Sequence, residues 1–103
     1  MVVEYIRYKI EKSRQNNFIN AYTKASEQLH TSEFCLGYEL SHCEEDPDNF
    51  ILRIEWTSTD DHLNGFRKSS DFMKFLKHVK PFFNDIQEMN HYQVTAVALK
   101  KQL

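Results

Sequence analysis

Glycine, proline and cysteine are scarce in this chain of 103 residues, with two of each, and no basic excess offsets the acidic side chains, so the formal net charge is -2. Each shortage excludes something. So few glycines build no glycine-rich phosphate loop. The scattered Lys and Arg form no basic stripe, so neither nucleic acid nor an anionic membrane is an expected partner. Cys35 and Cys43 fall on what reads as one strand, about 26 Å apart at strand rise. That is far beyond disulfide reach, and free thiols suit a reducing, cytoplasmic setting. No apolar run approaches the roughly 20 residues that span a bilayer. The opening Met1-Val2-Val3-Glu4-Tyr5 lacks the pattern of a signal peptide. His42, His62, His78 and His91 sit on different elements without metal-ligand spacing, so no bound metal is expected. No Ser-His-Asp order and no internal repeat is present.

Aromatic residues are plentiful, at 14% of the chain, enough to fill a core or line a ligand pocket. Val2 to Ile10 interleaves Val, Ile and Tyr with charges and reads as a strand. Ser13 is placed to cap a helix carrying Phe18, Tyr22, Ala25 and Leu29 on one stripe. From Phe34 to Cys43 the period is two, with Leu36, Tyr38, Leu40 and His42 on one side and Cys35, Gly37, Glu39 and Ser41 on the other. Glu44-Glu45-Asp46-Pro47-Asp48 is a turn signal, and Phe50-Ile51-Leu52-Arg53-Ile54-Glu55-Trp56 returns as the second arm of a hairpin. With Cys43 opposite Asn49, Leu40 meets Leu52, Tyr38 meets Ile54 and Leu36 meets Trp56. The same register sets Arg53 across from Glu39, a pair expected to contribute roughly 0.2–1 kcal/mol. A slip of one residue loses both alignments.

Ser58 is placed to cap a short helix through Leu63 and Phe66, with His62 in its first turn and expected in solvent. Ser69 or Ser70 opens a longer helix bearing Phe72, Phe75, Leu76 and Val79, ended by Pro81. Phe82 to Asn90 reads as a connector, and Tyr92 to Leu99 as a last, β-branched strand. The length suits a single domain spanning residues 1–103. The order is βαββαβ, which predicts an α+β, ferredoxin-like antiparallel sheet with both helices on one face. The other face is left bare unless a second chain covers it.

Several segments also carry a family likeness: Ile6-Arg7-Tyr8-Lys9-Ile10, Leu36-Gly37-Tyr38-Glu39 and Ile54-Glu55-Trp56-Thr57-Ser58 on strands, then His62-Leu63, Phe66 to Ser69 and Phe72 to Phe75. In these the chain resembles the antibiotic biosynthesis monooxygenase family, a group of dimeric α+β barrels. The resemblance implies a homodimer with its sheets face to face and a pocket between each sheet and its helices. It implies oxidation of phenolic or quinol-like aromatics by molecular oxygen with no cofactor, neither metal nor flavin. A desolvated phenolate held by hydrogen bonds is electron-rich enough for that reaction. Many such members have a His where Phe66 stands. A haem-degrading branch uses Asn, Trp and a ligating His where this chain has Ile6, Phe66 and Leu76. His78 is rotated by about 200° from that last position, so haem degradation is not expected.

By the same resemblance Trp56, Tyr38, Tyr22, Phe66 and Phe72 are the expected substrate pocket, and His42, His91 and Tyr38 are the candidate catalytic groups. The alternatives are a non-catalytic ligand- or haem-binding module and a structural dimerisation module of the same fold. Arg53, paired with Glu39, is expected to face the partner subunit.

Overall fold

The computed structural model describes residues 1–102. Four strands, β1 (Val2–Lys9), β2 (Cys35–His42), β3 (Asn49–Trp56) and β4 (Ile86–Gln93), form one antiparallel sheet in the order β2-β3-β1-β4. Helices α1 (Gln15–Thr31) and α2 (Ser70–Val79) cover one face. The fold is α+β and ferredoxin-like, as the element order predicts. Alternation along the two central strands explains the cover. Val2, Glu4, Ile6 and Tyr8 of β1 and Phe50, Leu52, Ile54 and Trp56 of β3 are all buried beneath the helices. The stripe of α1 fits over them, with the Phe18 ring centred 4.8–5.2 Å from those of Tyr8, Tyr22, Phe50 and Phe82.

The hairpin has the expected register over most of its length. The Cys43 amide donates to the Asn49 carbonyl at 2.9 Å, and Tyr38, Glu39 and Leu40 lie opposite Ile54, Arg53 and Leu52. It departs at one end, where a β-bulge sets Cys35, not Leu36, against Trp56. Leu36 is the extra residue and is 58% exposed. The bulge falls where Gly37 crosses the Glu55 carboxylate, so close that a Cβ would stand 2.9 Å from Glu55 Oε2. The expected Glu39–Arg53 ion pair does not form. Arg53 turns to its own strand and to β1, with Nη1 2.9 Å from Glu55 Oε1 and Nε donating to the Tyr5 hydroxyl at 3.3 Å. Tyr5 is its partner towards the sheet centre, whereas Glu39 lies on the edge strand, in solvent.

Ser69 caps α2 by accepting from the Phe72 amide. Ser13 caps nothing: it lies in a 3₁₀ turn, Lys12–Arg14, ahead of α1. The last strand is earlier than expected, because Phe82 to Asn90 is no simple connector. A 3₁₀ turn, Lys80–Asp85, leads straight into β4, which pairs with the free edge of β1. That pairing ends with β1 itself, so the β-branched residues beyond Val94 have no strand to join. Pairing overrides propensity here. A bulge opposite Arg7 and Tyr8 shifts the parity of β4, turning Met89 and His91 to the helix side.

Candidate functional site

Between β3 and α2 the chain does not form the ordinary short helix that Ser58 predicts. Ser58 does accept from the Asp61 amide, at 2.9 Å. The chain then widens into a π-turn, Asp61–Gly65, and tightens into a 3₁₀ turn, Phe66–Lys68. Gly65 suits this path because its Cα passes the Phe34 ring so closely that a Cβ would meet ring carbons at 2.8 Å. The π-turn carries His62 inward, contrary to its expected place in solvent. The imidazole is 3% exposed and stacks on Trp56, with centroids 4.2 Å apart and planes 10° from parallel.

A polar corner forms where the π-turn meets β1 and β4. Glu4, facing inward from β1, is 1% exposed, and its Oε1 accepts from Trp56 Nε1 at 3.1 Å. Its Oε2 is buried with no hydrogen-bond partner among the described residues. His62 Nε2 lies 3.7 Å from Glu4 Oε1, and Arg67 Nη2 lies 3.8 Å from Glu4 Oε2. His62 Nδ1 is 2.7 Å from His91 Nε2, and Arg67 Nε donates to His62 Nε2 at 3.2 Å. A guanidinium only donates, so His62 Nε2 accepts, and the ring proton sits on Nδ1, aimed at His91. His62 is thus neutral. Burial, the Arg67 charge and His91 together hold its pKa down to about 3. Burial and Arg67 lower His91 in the same direction. Burial raises the Glu4 carboxyl, against the opposing effects of the Trp56 hydrogen bond and Arg67.

This corner opens on a cavity of about 500 Å3 between sheet and helices. Trp56, Tyr22, Phe66 and Phe72 line it together, as does Tyr8. The hydroxyls of Tyr8 and Tyr22 bond each other at its far wall. Burial pushes the Tyr8 phenol up to about 12 and raises Tyr22 well above its usual value, so both are hydrogen-bonding groups and not bases.

Tyr38 and His42 do not join this cavity. They border a smaller groove of about 300 Å3 between α1 and β2, to which Tyr22 also contributes. The His42 ring stacks on Phe50, and its Nε2 bonds the Pro47 carbonyl, tying down the hairpin loop. His91 is in the polar corner, through its contact with His62. Sequence reasoning missed Glu4, His62 and Arg67. For Glu4 a signal existed, since it shares parity with Val2, Ile6 and Tyr8.

Acid should expose the neutral state of His62 as a stability effect. With a folded pKa near 3 against about 6.5 in the unfolded chain, the unfolded state takes up a proton first, and stability falls from about pH 6.5 towards pH 3. Glu4, raised in the folded state, works in the opposite sense, and His91 in the same sense as His62. A comparison with His62→Phe, which keeps the stack on Trp56, therefore isolates the His62 contribution. Thermal melts between pH 7 and 4 should show the wild type losing more stability than His62→Phe. Parallel losses would mean that His62 is not held neutral.

A four-stranded antiparallel sheet with two covering helices, a cavity beneath them and a buried carboxylate at its edge defines an α+β protein of ferredoxin-like type. Residues 1–78 match the antibiotic biosynthesis monooxygenase family, and the chain belongs to it. The matched span holds Glu4, Trp56, His62 and Arg67 but not His91. The chain is 26% identical over 93 residues to the uncharacterized protein YczJ of Bacillus subtilis, covering 90% of this chain and 98% of that one. Among solved structures it resembles a Bordetella bronchiseptica protein assigned to the antibiotic biosynthesis monooxygenases, with TM-score 0.80, 24% identity and coverage of 91% of this chain and 96% of that one. A conserved protein from Methanosarcina mazei Go1 is similar at TM-score 0.76 and 17% identity, with 91% and 92% covered. These structural likenesses concern the fold. No helix among the described residues is long and apolar enough to cross a membrane.

Proposed function

We propose that the chain is a cofactor-independent monooxygenase that oxidises a small hydroxylated, quinol-like aromatic with molecular oxygen in the helix-side cavity. The observation that carries this reading is the buried carboxylate of Glu4, with one oxygen unpartnered, at the end of an aromatic-lined cavity. A cavity of this size suits a one- or two-ring substrate. Glu4 Oε2 takes the substrate hydroxyl proton, and its burial makes it a stronger base than an exposed carboxylate. The Arg67 guanidinium stabilises the phenolate formed. Electrons pass from the phenolate to oxygen, and a carbon–oxygen bond forms at the ring. The O–O bond then breaks as the ring C–H proton is lost. That ring proton and the proton held by Glu4 both pass to the departing oxygen, which leaves as water. The substrate supplies all the electrons. Trp56 and His62 hold Glu4 and Arg67 in place. A purely ligand-binding module would need the apolar walls but not this carboxylate. Oxygen uptake above the blank rate with a dihydroxynaphthalene supports the reading, and uptake equal to the blank overturns it.

The same reading places a second copy of the chain on the helix-free sheet face. Tyr5 and Tyr92 stand exposed there in edge-to-face contact, beside the Arg53–Glu55 pair. Arg53→Ala should weaken self-association on the order of tenfold, as truncation of a central interface Arg does, and leave the cavity unaffected. Sedimentation velocity across a dilution series measures this. A variant that dimerises as the wild type does contradicts the assignment.

A further inference from the structure

The polar corner has a second use that the proposed oxidation does not require. Glu4, His62 and His91 come from three separate elements, and one donor atom from each lies within 4.8 Å of the others. We infer that these three side chains bind a divalent transition-metal ion of the zinc, cobalt or ferrous class.

Two imidazoles and one carboxylate are a donor set suited to such ions and poorly matched to calcium or magnesium, which take oxygen ligands. Glu4 Oε2 is a buried acceptor with no donor, as a ligand atom awaiting a cation would be. His62 Nε2 accepts from Arg67, so that imidazole is neutral, the form that ligates. Trp56 Nε1 fixes the carboxylate from behind, as an outer-shell hydrogen bond does in metal centres. An ion about 2.1 Å from each donor would draw the widest pair together by about 1 Å. The corner faces the cavity, so further coordination positions remain open to water or ligand.

Arg67 is the competitor. Its guanidinium approaches Glu4 Oε2 and occupies His62 Nε2, standing where an ion's charge would stand. It is about one-third exposed and can swing outward. Metal and Arg67 are therefore alternative cations for one carboxylate. Metal at Glu4 also removes the proton acceptor of the proposed reaction, so bound metal inhibits it.

The test uses the untagged full chain and needs no substrate. Calorimetric titration with Zn2+ should show one site, and Co2+ should give visible d–d bands with imidazole ligation. Glu4→Gln and His91→Asn should abolish both signals, while His42→Asn should retain them. Arg67→Ala should bind more tightly, by roughly tenfold, the scale on which outer-shell groups change metal affinity. Thermal melts run alongside: Zn2+ should raise the Tm of the wild type and of Arg67→Ala but not that of His91→Asn, whose own Tm reports whether it folds. Absence of heat and of d–d bands in the wild type overturns the inference, as does binding unchanged in folded His91→Asn. Because binding is read without turnover, a chain that ligates metal yet consumes no oxygen retires the oxidation alone, and the converse result retires the metal site alone.

Discussion

Trp56→Ala should cost about 3–5 kcal/mol of folding stability, the range for removing a large aromatic from a packed core. Trp56 is the largest of the fully buried side chains. Its ring supports the His62 stack on one side and meets Phe66, with centroids 5.0 Å apart. Among the described residues its Nε1 is also the only hydrogen-bond donor to the Glu4 carboxylate, so the truncation strands a buried carboxylate as well as opening a void. For a domain of this length the loss corresponds to a fall in Tm of about 12–24 °C at 3 kcal/mol, a large share of a typical stability margin. Differential scanning calorimetry measures it. Trp56→Phe, which keeps an aromatic face for His62 but no donor for Glu4, should fall between the two. A Trp56→Ala protein melting within a few degrees of the wild type would mean that the corner is not organised around this ring.

Glu4→Gln should separate function from stability. The amide keeps the shape of the carboxylate, and its oxygen can still accept from Trp56, so the melt should change little. Oxygen uptake should instead fall by roughly 10²–10⁴, the usual contribution of a positioned general base. The direction follows from burial: the folded chain holds this carboxyl above its ordinary pKa, where it is a better proton acceptor than a surface glutamate. Retained uptake would move the base elsewhere, and His91 is the remaining titratable group of the corner with access to solvent.

How much of this was legible in the sequence depends on which side of a single-residue shift each feature lies. The run from Phe50 to Trp56 announces its two faces by strict alternation, and the charge facing charge at Glu39 and Arg53 aligns the hairpin even though the ion pair forms elsewhere. Trp56, Tyr22 and Phe72 meet because they lie on regular elements with regular periods. The polar corner is different. His62 reaches Trp56 from within an irregular π-turn, and His91 faces inward through a bulge in β4. Leu36 turns out to solvent by the same kind of shift in β2. One inserted residue reverses a strand's faces and rotates a helix by about 100°, and no periodicity announces it in advance. Glu4 alone was within reach, as the one acidic residue on the apolar side of β1. A charge in that position is commonly read as interleaved surface polarity, yet Glu4 is buried and borders the cavity.

The central claim is that Glu4 and the cavity beside it carry an oxygenation, and isotope-labelled oxygen tests it most directly. Incubated with 1,4-dihydroxynaphthalene under labelled dioxygen, the wild type should yield a hydroxynaphthoquinone carrying one labelled atom, with the second label in water. Glu4→Gln should yield little of it. A product with no labelled atom, at the rate of the protein-free control, would contradict the account.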